Sequence, residues 1–421
     1  MRNLLCAVAL GVYVYAGCLL VGADNPKHHD ADSRTEVLIK KAKSGDTQAQ
    51  LLLGYAYASG SGVGVDDSEA VFWWRRAAER GLADAQYNLG VMLYHGRGVN
   101  RDAAQAATLF RAAARQGHAP AAVSLGQMLQ NGESVDRRPA EALVWYRQAV
   151  EQHYAAGYAA MGAVFEQGAG VQKDISQAIQ WYTRAANAGH TAAETKLGQF
   201  YYTGEVVHRD VSAAASWFRK AAEHGDPVAQ NDLGLLYVNG QGVRQDYEAA
   251  MKWFRAGAKG GCANAASNVG YLYQNGLGVS VDEEEAMRWY EKAAAMGDAV
   301  ADYNVGLMYY KGRSFKRDFA EAFKRFRAAA EQGHVTAQRN LGVMLMRGEG
   351  IEKDVVAAYT WLLIAARSKD ELAVHDSAWL ASRMSAEQIA EGERRAANWN
   401  GTRVIGTQTA VAFAEPSQGP R

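Results

Sequence analysis

A spacing of 36 residues governs most of this 421-residue chain. A glycine recurs nine times at that interval, usually after leucine: Gly54, Gly90, Gly126, Gly162, Gly198, Gly234, Gly270, Gly306 and Gly342. A small residue five positions earlier and an apolar residue three positions later share one helical face with it, because helical neighbours recur every three or four residues. Such a period predicts stacked repeats, in which each unit buries its apolar face against the next.

Each unit is predicted to contain two helices joined by a turn. A second glycine column, from Gly60 to Gly348, supplies the left-handed residue that ends the first helix. An aspartate such as Asp66 follows in most units, where its carboxylate accepts the free N–H groups of the next helix. One unit has Arg138 there, but Pro139 follows it, and proline suits the first helical position because its missing N–H is not needed.

Most second helices carry a tryptophan, at Trp73, Trp145, Trp181, Trp217, Trp253, Trp289 and Trp361. Another aromatic residue often follows directly, and alanine pairs lie further along the helix. The fixed helical spacing predicts core packing, with the indole filling the gap between units. The alternative is a surface on which ligands stack.

The first 23 residues have the pattern of a signal peptide. Arg2 is their only charge, an apolar run extends from Leu4 to Leu20, and small residues precede a polar stretch. We predict cleavage after Ala23, a polar linker over 24–33 and a periplasmic or secreted protein. The alternative is an uncleaved anchor, because about 19 apolar residues approach the minimum for crossing a bilayer.

Charge and cysteine content argue against a nucleic-acid-binding protein and against a fold held together by disulfides. Lys plus Arg equals Asp plus Glu at 45 each, without a long basic run, so we predict no nucleic-acid partner. Only Cys262 follows the predicted leader, so the mature chain has no intramolecular disulfide. Stability must come from stacked helices.

Partial repeats mark the two ends of the array. Residues 30–45 match only the second half of a unit, and residues 370–383 match a degraded first half, so both are predicted caps. The repeats with these caps occupy 34–383. Ser385 and Gln388 have the spacing of a capping box, which predicts a last helix over 384–400 before a flexible tail, 401–421.

The assembled pattern A-x-x-x-L-G-x-x-Y-x-x-G-x-G-V-x-x-D-x-x-x-A-x-x-W-[FY]-x-x-A-A-x-x-G resembles the Sel-1-like repeat family, relatives of tetratricopeptide repeats, over about residues 30–383. The resemblance implies an all-α fold: a right-handed superhelical solenoid of about nine helix-pair repeats with capping half-repeats. It also implies an adaptor or scaffold; bacterial members are often exported and are linked to signalling, envelope assembly and host interaction. Cysteine-rich members were described as penicillin-binding or β-lactamase proteins, and this chain departs from them in its cysteines.

The side chains left over on the first helices suggest where a partner binds. Positions equivalent to 51, 55 and 58 form one helical stripe, which is predicted to line the concave surface. We call these residues the stripe: Leu51, Tyr55, Tyr87, Tyr94, Tyr202, Tyr271, Tyr303, Tyr310, Arg339 and Met346. Tyrosine and arginine are enriched at binding hot spots, so a protein or peptide partner is predicted here. The alternative is that these residues contact neighbouring helices.

An amide column runs beside the stripe, at Asn88, Asn268, Asn304 and Asn340. In an inner groove these side chains would bind a peptide backbone. The alternative is that they bond carbonyls of the adjacent repeat, because buried amides need partners.

No catalytic or metal-binding constellation is apparent. His118, His190 and His334 share one column, but stacked helices lie about 8–10 Å apart, whereas a transition metal needs ligands at about 2 Å. Nucleophile elbows, H-E-x-x-H, P-loops and S-x-x-K are absent. We therefore predict an exported scaffold without cofactor. The alternatives are an envelope enzyme or cell-wall binder of the penicillin-binding type, and a tether held in the membrane by its uncleaved leader.

Overall fold

A computed structural model describes residues 28–401 except 134, 206 and 313–315. All regular structure in these residues is helical. The helices are α1 (His28–Lys43), α2 (Thr47–Ser59), α3 (Asp67–Glu79), α4 (Ala83–His95), α5 (Ala103–Arg115), α6 (Ala119–Asn131), α7 (Pro139–Glu151), α8 (Ala155–Gln167), α9 (Ile175–Asn187), α10 (Thr191–Thr203), α11 (Val211–Glu223), α12 (Pro227–Asn239), α13 (Tyr247–Lys259), α14 (Ala263–Asn275), α15 (Glu283–Ala295), α16 (Ala299–Lys311), α17 (Phe319–Glu331), α18 (Val335–Arg347), α19 (Val355–Ala366), α20 (Glu371–Ala381) and α21 (Ala386–Asn398).

The pairs from α2/α3 to α18/α19 are the nine predicted repeats, which confirms an all-α repeat solenoid. The chain divides into two compact units, Met1–His190 and Thr191–Arg421. In the first, consecutive helices pack on one another from α1/α2 to α8/α9, and one apolar core extends from Leu51 to Val164. In the second, consecutive helices pack on one another from α10/α11 to α19/α20, and α21 packs on α19.

The ends of the helices follow the predicted capping pattern. Asp66 Oδ1 accepts from the backbone N–H groups of Ser68 and Glu69 at 2.9 and 3.0 Å. Arg138 is the N-cap of α7 without a side-chain bond, and Pro139 takes the first helical position. Gly60 ends α2 with a φ of 77°, a conformation that favours glycine because a Cβ would be strained there.

Most of the tryptophans pack against the core, as predicted, but the close contact with the first helix of the same repeat is made by the residue that follows the tryptophan. A Cβ on Gly54 would lie 2.4 Å from Trp74 Nε1, and a Cβ on Gly234 would lie 2.5 Å from Phe254 Cε1. The residue after the tryptophan column therefore fills the space over the glycine of its own repeat. In the tryptophan column only Trp73 is buried and the others are half-buried. Two adjacent helical residues point about 100° apart, so only one of them can face the first helix.

The array has a helical cap at each end. α1 begins at His28, so residues 28–33, which we assigned to the polar linker, belong to a helix. The Ser385–Gln388 capping box is present at the start of α21. The predicted leader lies outside the described residues, as does the predicted tail after residue 401. No helix in the described part of the chain is long and apolar enough to cross a membrane.

Candidate functional site

The first position of the stripe, Leu51, is buried at 3% exposure, so its assignment to an open binding surface was wrong. Helix α3 lies against it, and Trp74 Nε1 donates to the Leu51 carbonyl oxygen at 3.2 Å. The other stripe residues are half-buried. Most of these side chains contact other residues of the same compact unit.

Three stripe tyrosines connect consecutive repeats. Tyr94 donates its hydroxyl to Glu133, Tyr202 donates to Gln241 Oε1 at 3.2 Å, and Tyr310 donates to Glu349 Oε2 at 3.0 Å. Each acceptor follows the first helix of the next repeat. Burial, reinforced by the Glu133 carboxylate, raises the pKa of Tyr94 to about 12, so its hydroxyl stays protonated and donates.

Two other stripe tyrosines stack on histidines. The ring centroid of Tyr87 lies 4.7 Å from that of His118, and the ring centroid of Tyr303 lies 4.6 Å from that of His334. Both histidines are N-caps of the next first helix, α6 or α18. Burial raises the pKa of Tyr87 to about 12. These rings therefore contribute to the junction between repeats.

The remaining polar members of the stripe also have neighbours. The Tyr55 ring packs edge-on against Trp74 at 5.5 Å between centroids. Arg339 Nε donates to Asp376 Oδ2 of α20 at 3.2 Å. Tyr271 packs against the core of the second unit, and burial raises its pKa. The stripe thus makes the contacts of the alternative interpretation, while partner binding there stays a prediction.

The amide column divides into two groups. Asn88 Nδ2 donates to the Tyr55 hydroxyl at 2.7 Å, and the buried Asn268 donates to Asn231 Oδ1 at 2.9 Å. Asn304 on α16 and Asn340 on α18 are half-buried, and their side chains make no hydrogen bond to another described residue. These two amides, on first helices of consecutive repeats, are the predicted site residues whose polar groups remain available to a partner.

Sequence reasoning missed a buried acid, Asp232, in the same column as the asparagines. It is 8% exposed, and Asn231 Nδ2 donates to its Oδ1 at 3.3 Å. Burial raises the pKa of Asp232 to about 7, against the opposing effect of hydrogen bonds from Asn231 and Gln199. The sequence did contain a signal for it, because Asp232 is the single acid among the nine repeats in a column where four others have asparagine.

A second buried acid, Glu194, was also missed. It has no exposed surface, and its carboxylate lies 3.0 Å from Lys220 Nζ and 2.9 Å from His224 Nδ1. Glutamines occupy its column in other repeats, where Gln230 Nε2 donates to the Ala222 carbonyl oxygen at 3.0 Å. Asp302 is another acid in this column, and its Oδ1 accepts from Arg325 Nη1 at 3.3 Å, so both acids have a basic side chain within reach.

The described residues bring together no group of three His, Cys, Asp or Glu side chains that could hold a metal ion. Two of the histidines that share a column, His118 and His334, are helix N-caps instead. In each, Nδ1 accepts a backbone N–H at 3.1 Å. Their positions follow from local helix geometry.

The comparisons with known proteins agree with the fold. The Sel1 repeat model matches nine consecutive segments: 47–82, 83–118, 119–154, 155–190, 191–226, 227–262, 263–298, 299–334 and 335–370. A crystal structure of a Sel1 repeat protein from Oxalobacter formigenes is 27% identical with a TM-score of 0.56, covering 86% of this chain and 95% of that one. That of a protective antigen from uropathogenic Escherichia coli is 29% identical with a TM-score of 0.44, covering 94% and 100%. No curated protein matches the chain.

Proposed function

The chain belongs to the Sel1 repeat family, whose members are commonly scaffolds for protein interaction, and from that premise we propose that it is an exported scaffold binding an extended segment of a partner protein. The observation that carries the proposal is the pair of amides, Asn304 and Asn340, left without partners on α16 and α18. Neither amide is a buried polar group without a partner, so water reaches both, and a peptide group of a ligand can take the place of that water.

The chemistry of the amides suggests the kind of ligand. An asparagine side chain carries both a donor and an acceptor, and can therefore pair with the N–H and C=O of one peptide group. An extended peptide offers such groups along its whole length, since it has no internal hydrogen bonds. Recognition of the backbone would give affinity, and half-buried neighbours such as Tyr310 would give selectivity.

We expect the double variant Asn304→Ala/Asn340→Ala to bind such a peptide about 30-fold more weakly, because each amide contributes about 1 kcal/mol of net hydrogen bonding. A library of random peptides is selected against the purified chain, and the dissociation constant of a selected peptide is measured for both proteins by fluorescence anisotropy.

The matched control is Asn239→Ala/Asn398→Ala, which removes two exposed amides near the ends of α12 and α21. It should bind like the wild type. If the two double variants bind the peptide equally, the amide pair is not the site; if the library yields no binder, recognition of an extended peptide is wrong.

Export is the second part of the proposal. It rests on the apolar run from Leu4 to Leu20 and the small residues before the Asp24–Asp32 polar stretch. We expect the protein purified from its native cells to begin at Asp24, as measured by mass spectrometry of its N-terminal peptide. A peptide that still begins at Met1 would support the membrane-tether alternative and count against secretion.

A further inference from the structure

His118 and His334 cap the first helices α6 and α18 at a position where other first helices have an aspartate. His118 Nδ1 accepts from the Ala121 backbone N–H at 3.1 Å, and His334 Nδ1 accepts from the Ala337 N–H at 3.1 Å. Asp226 caps α12 through the equivalent bond, at 2.7 Å. His118 lies in the first compact unit and His334 in the second.

The histidine caps differ from the aspartate caps in their response to acid. An imidazole nitrogen accepts a hydrogen bond only while it is unprotonated, and both nitrogens of the imidazolium are donors. Protonation would therefore place two N–H groups against each other, at His334 and Ala337 for example. An aspartate loses its charge only at lower pH, because its ordinary pKa is near 4 whereas that of histidine is near 6.5.

Among the residues that the structure describes, none offers a charged partner to a protonated His334. The Tyr303 ring of α16 stacks on it at an angle of 22°. In the last turn of α17, Glu331 is exposed and lies 3.8 Å from Arg327. On α18, Arg339 is directed to Asp376 of α20. Burial lowers the pKa of His334 to about 4.

His118 has the same cap and a different neighbour. Its ring lies against Tyr87, and its Nε2 lies 3.2 Å from Asp84 Oδ1 on α4. Burial lowers the pKa of His118, and the Asp84 carboxylate opposes that effect. The two units therefore contain the same cap with and without a carboxylate that stabilises the imidazolium.

We propose that His118 and His334 are acid-sensitive caps that release the first turns of α6 and α18 as the pH falls, with Asp84 limiting the release at α6. The proposal stands on the cap geometry and is independent of the proposed function. Both released turns stack on a stripe tyrosine, Tyr87 or Tyr303, so acid would loosen a junction between repeats in each unit.

The size of the effect at α18 follows from linkage. The pKa of His334 is lower in the folded protein than in an opened turn, where it returns to about 6.5. The cap is therefore fully stabilising above pH 6.5 and loses its contribution as the pH falls towards 4. The opening equilibrium at Ala337 should increase about 50-fold between pH 7 and 4.5.

Hydrogen exchange of single backbone amides in the full chain, corrected for the intrinsic rate at each pH, measures this opening. The Ala337 amide should lose more than tenfold of its protection at pH 4.5. The Ala229 amide, capped by Asp226, is the internal control and should lose much less. In the His334→Asn variant, whose amide caps helices without titrating, the Ala337 amide should stay protected.

At α6, the Asp84→Asn variant should lose more of its Ala121 protection at pH 4.5 than the wild type, because the imidazolium of the folded protein then lacks the carboxylate that stabilises it. If Ala337 keeps its protection at pH 4.5 in the wild type, or loses it equally in the His334→Asn variant, the proposal is overturned. If the His334→Asn variant fails to fold, hydrogen exchange is measured on the His334→Asp variant instead, above pH 5. Its carboxylate copies the cap at Asp226.

Discussion

The Gly234→Val variant should lose about 3 kcal/mol of unfolding free energy, because a larger side chain overfills a packed core. A Cβ at this position would lie 2.5 Å from Phe254 Cε1 and 2.6 Å from its Cδ1. Phe254 is 1% exposed, so its ring has no space into which it can move. Chemical denaturation followed by circular dichroism measures the change in the unfolding midpoint.

The matched control is Gly64→Val, at a glycine with no atom within 4 Å of its ideal Cβ and no positive φ. Glycine within a helix costs about 1 kcal/mol relative to alanine. All nine repeats nevertheless have glycine at the position equivalent to Gly234, and its close packing against the second helix explains why. Equal midpoints for the two variants would show that the contact between Gly234 and Phe254 is not limiting.

The repeat architecture was predictable because its signals are local and recur nine times. The left-handed glycine at Gly60, the cap at Asp66 and the proline at Pro139 each act within a few residues of their own position. The Ser385–Gln388 capping box is equally local. Such features depend on the backbone of one turn and not on the rest of the fold.

The candidate site was less predictable because its side chains are directed at the next repeat. Helical spacing placed Tyr94 and Tyr310 on one stripe, but their hydroxyls reach acceptors 39 residues further along the chain. Whether such a side chain is free depends on the residue that the next repeat places opposite it. The sequence of one helix therefore identifies a face, and the neighbouring repeat determines how much of that face remains available.

The same argument explains why Asp232 escaped prediction. Four other repeats have an asparagine in the same column, among them the buried Asn268. The sequence alone therefore gives no reason to expect that an acid at this position is buried. Burial is a property of the assembled repeats. It changes little for an amide, which is neutral, but it disfavours a carboxylate strongly because ionisation places a charge in a region of low dielectric.

The Asp232→Asn variant should therefore be more stable than the wild type at pH 8, by up to about 4 kcal/mol, and nearly equal to it at pH 4. The pKa of Asp232 is about 7 in the folded protein, against an ordinary value of 3.8. The folded state thus favours the protonated acid, and this contribution is lost as the pH rises through 7. Urea denaturation at pH 4, 6 and 8 measures the difference.

The reciprocal variant Asn268→Asp provides the matched control, because it places a new carboxylate at a position that is 3% exposed in the same column. It should lose stability at pH 8 and much less at pH 4, opposite in sign to Asp232→Asn. The asparagine at 232 keeps an oxygen for the Asn231 donor, so the hydrogen bond survives while the charge is removed. A stability difference for Asp232→Asn that is the same at all three pH values would place the effect in packing instead of in ionisation.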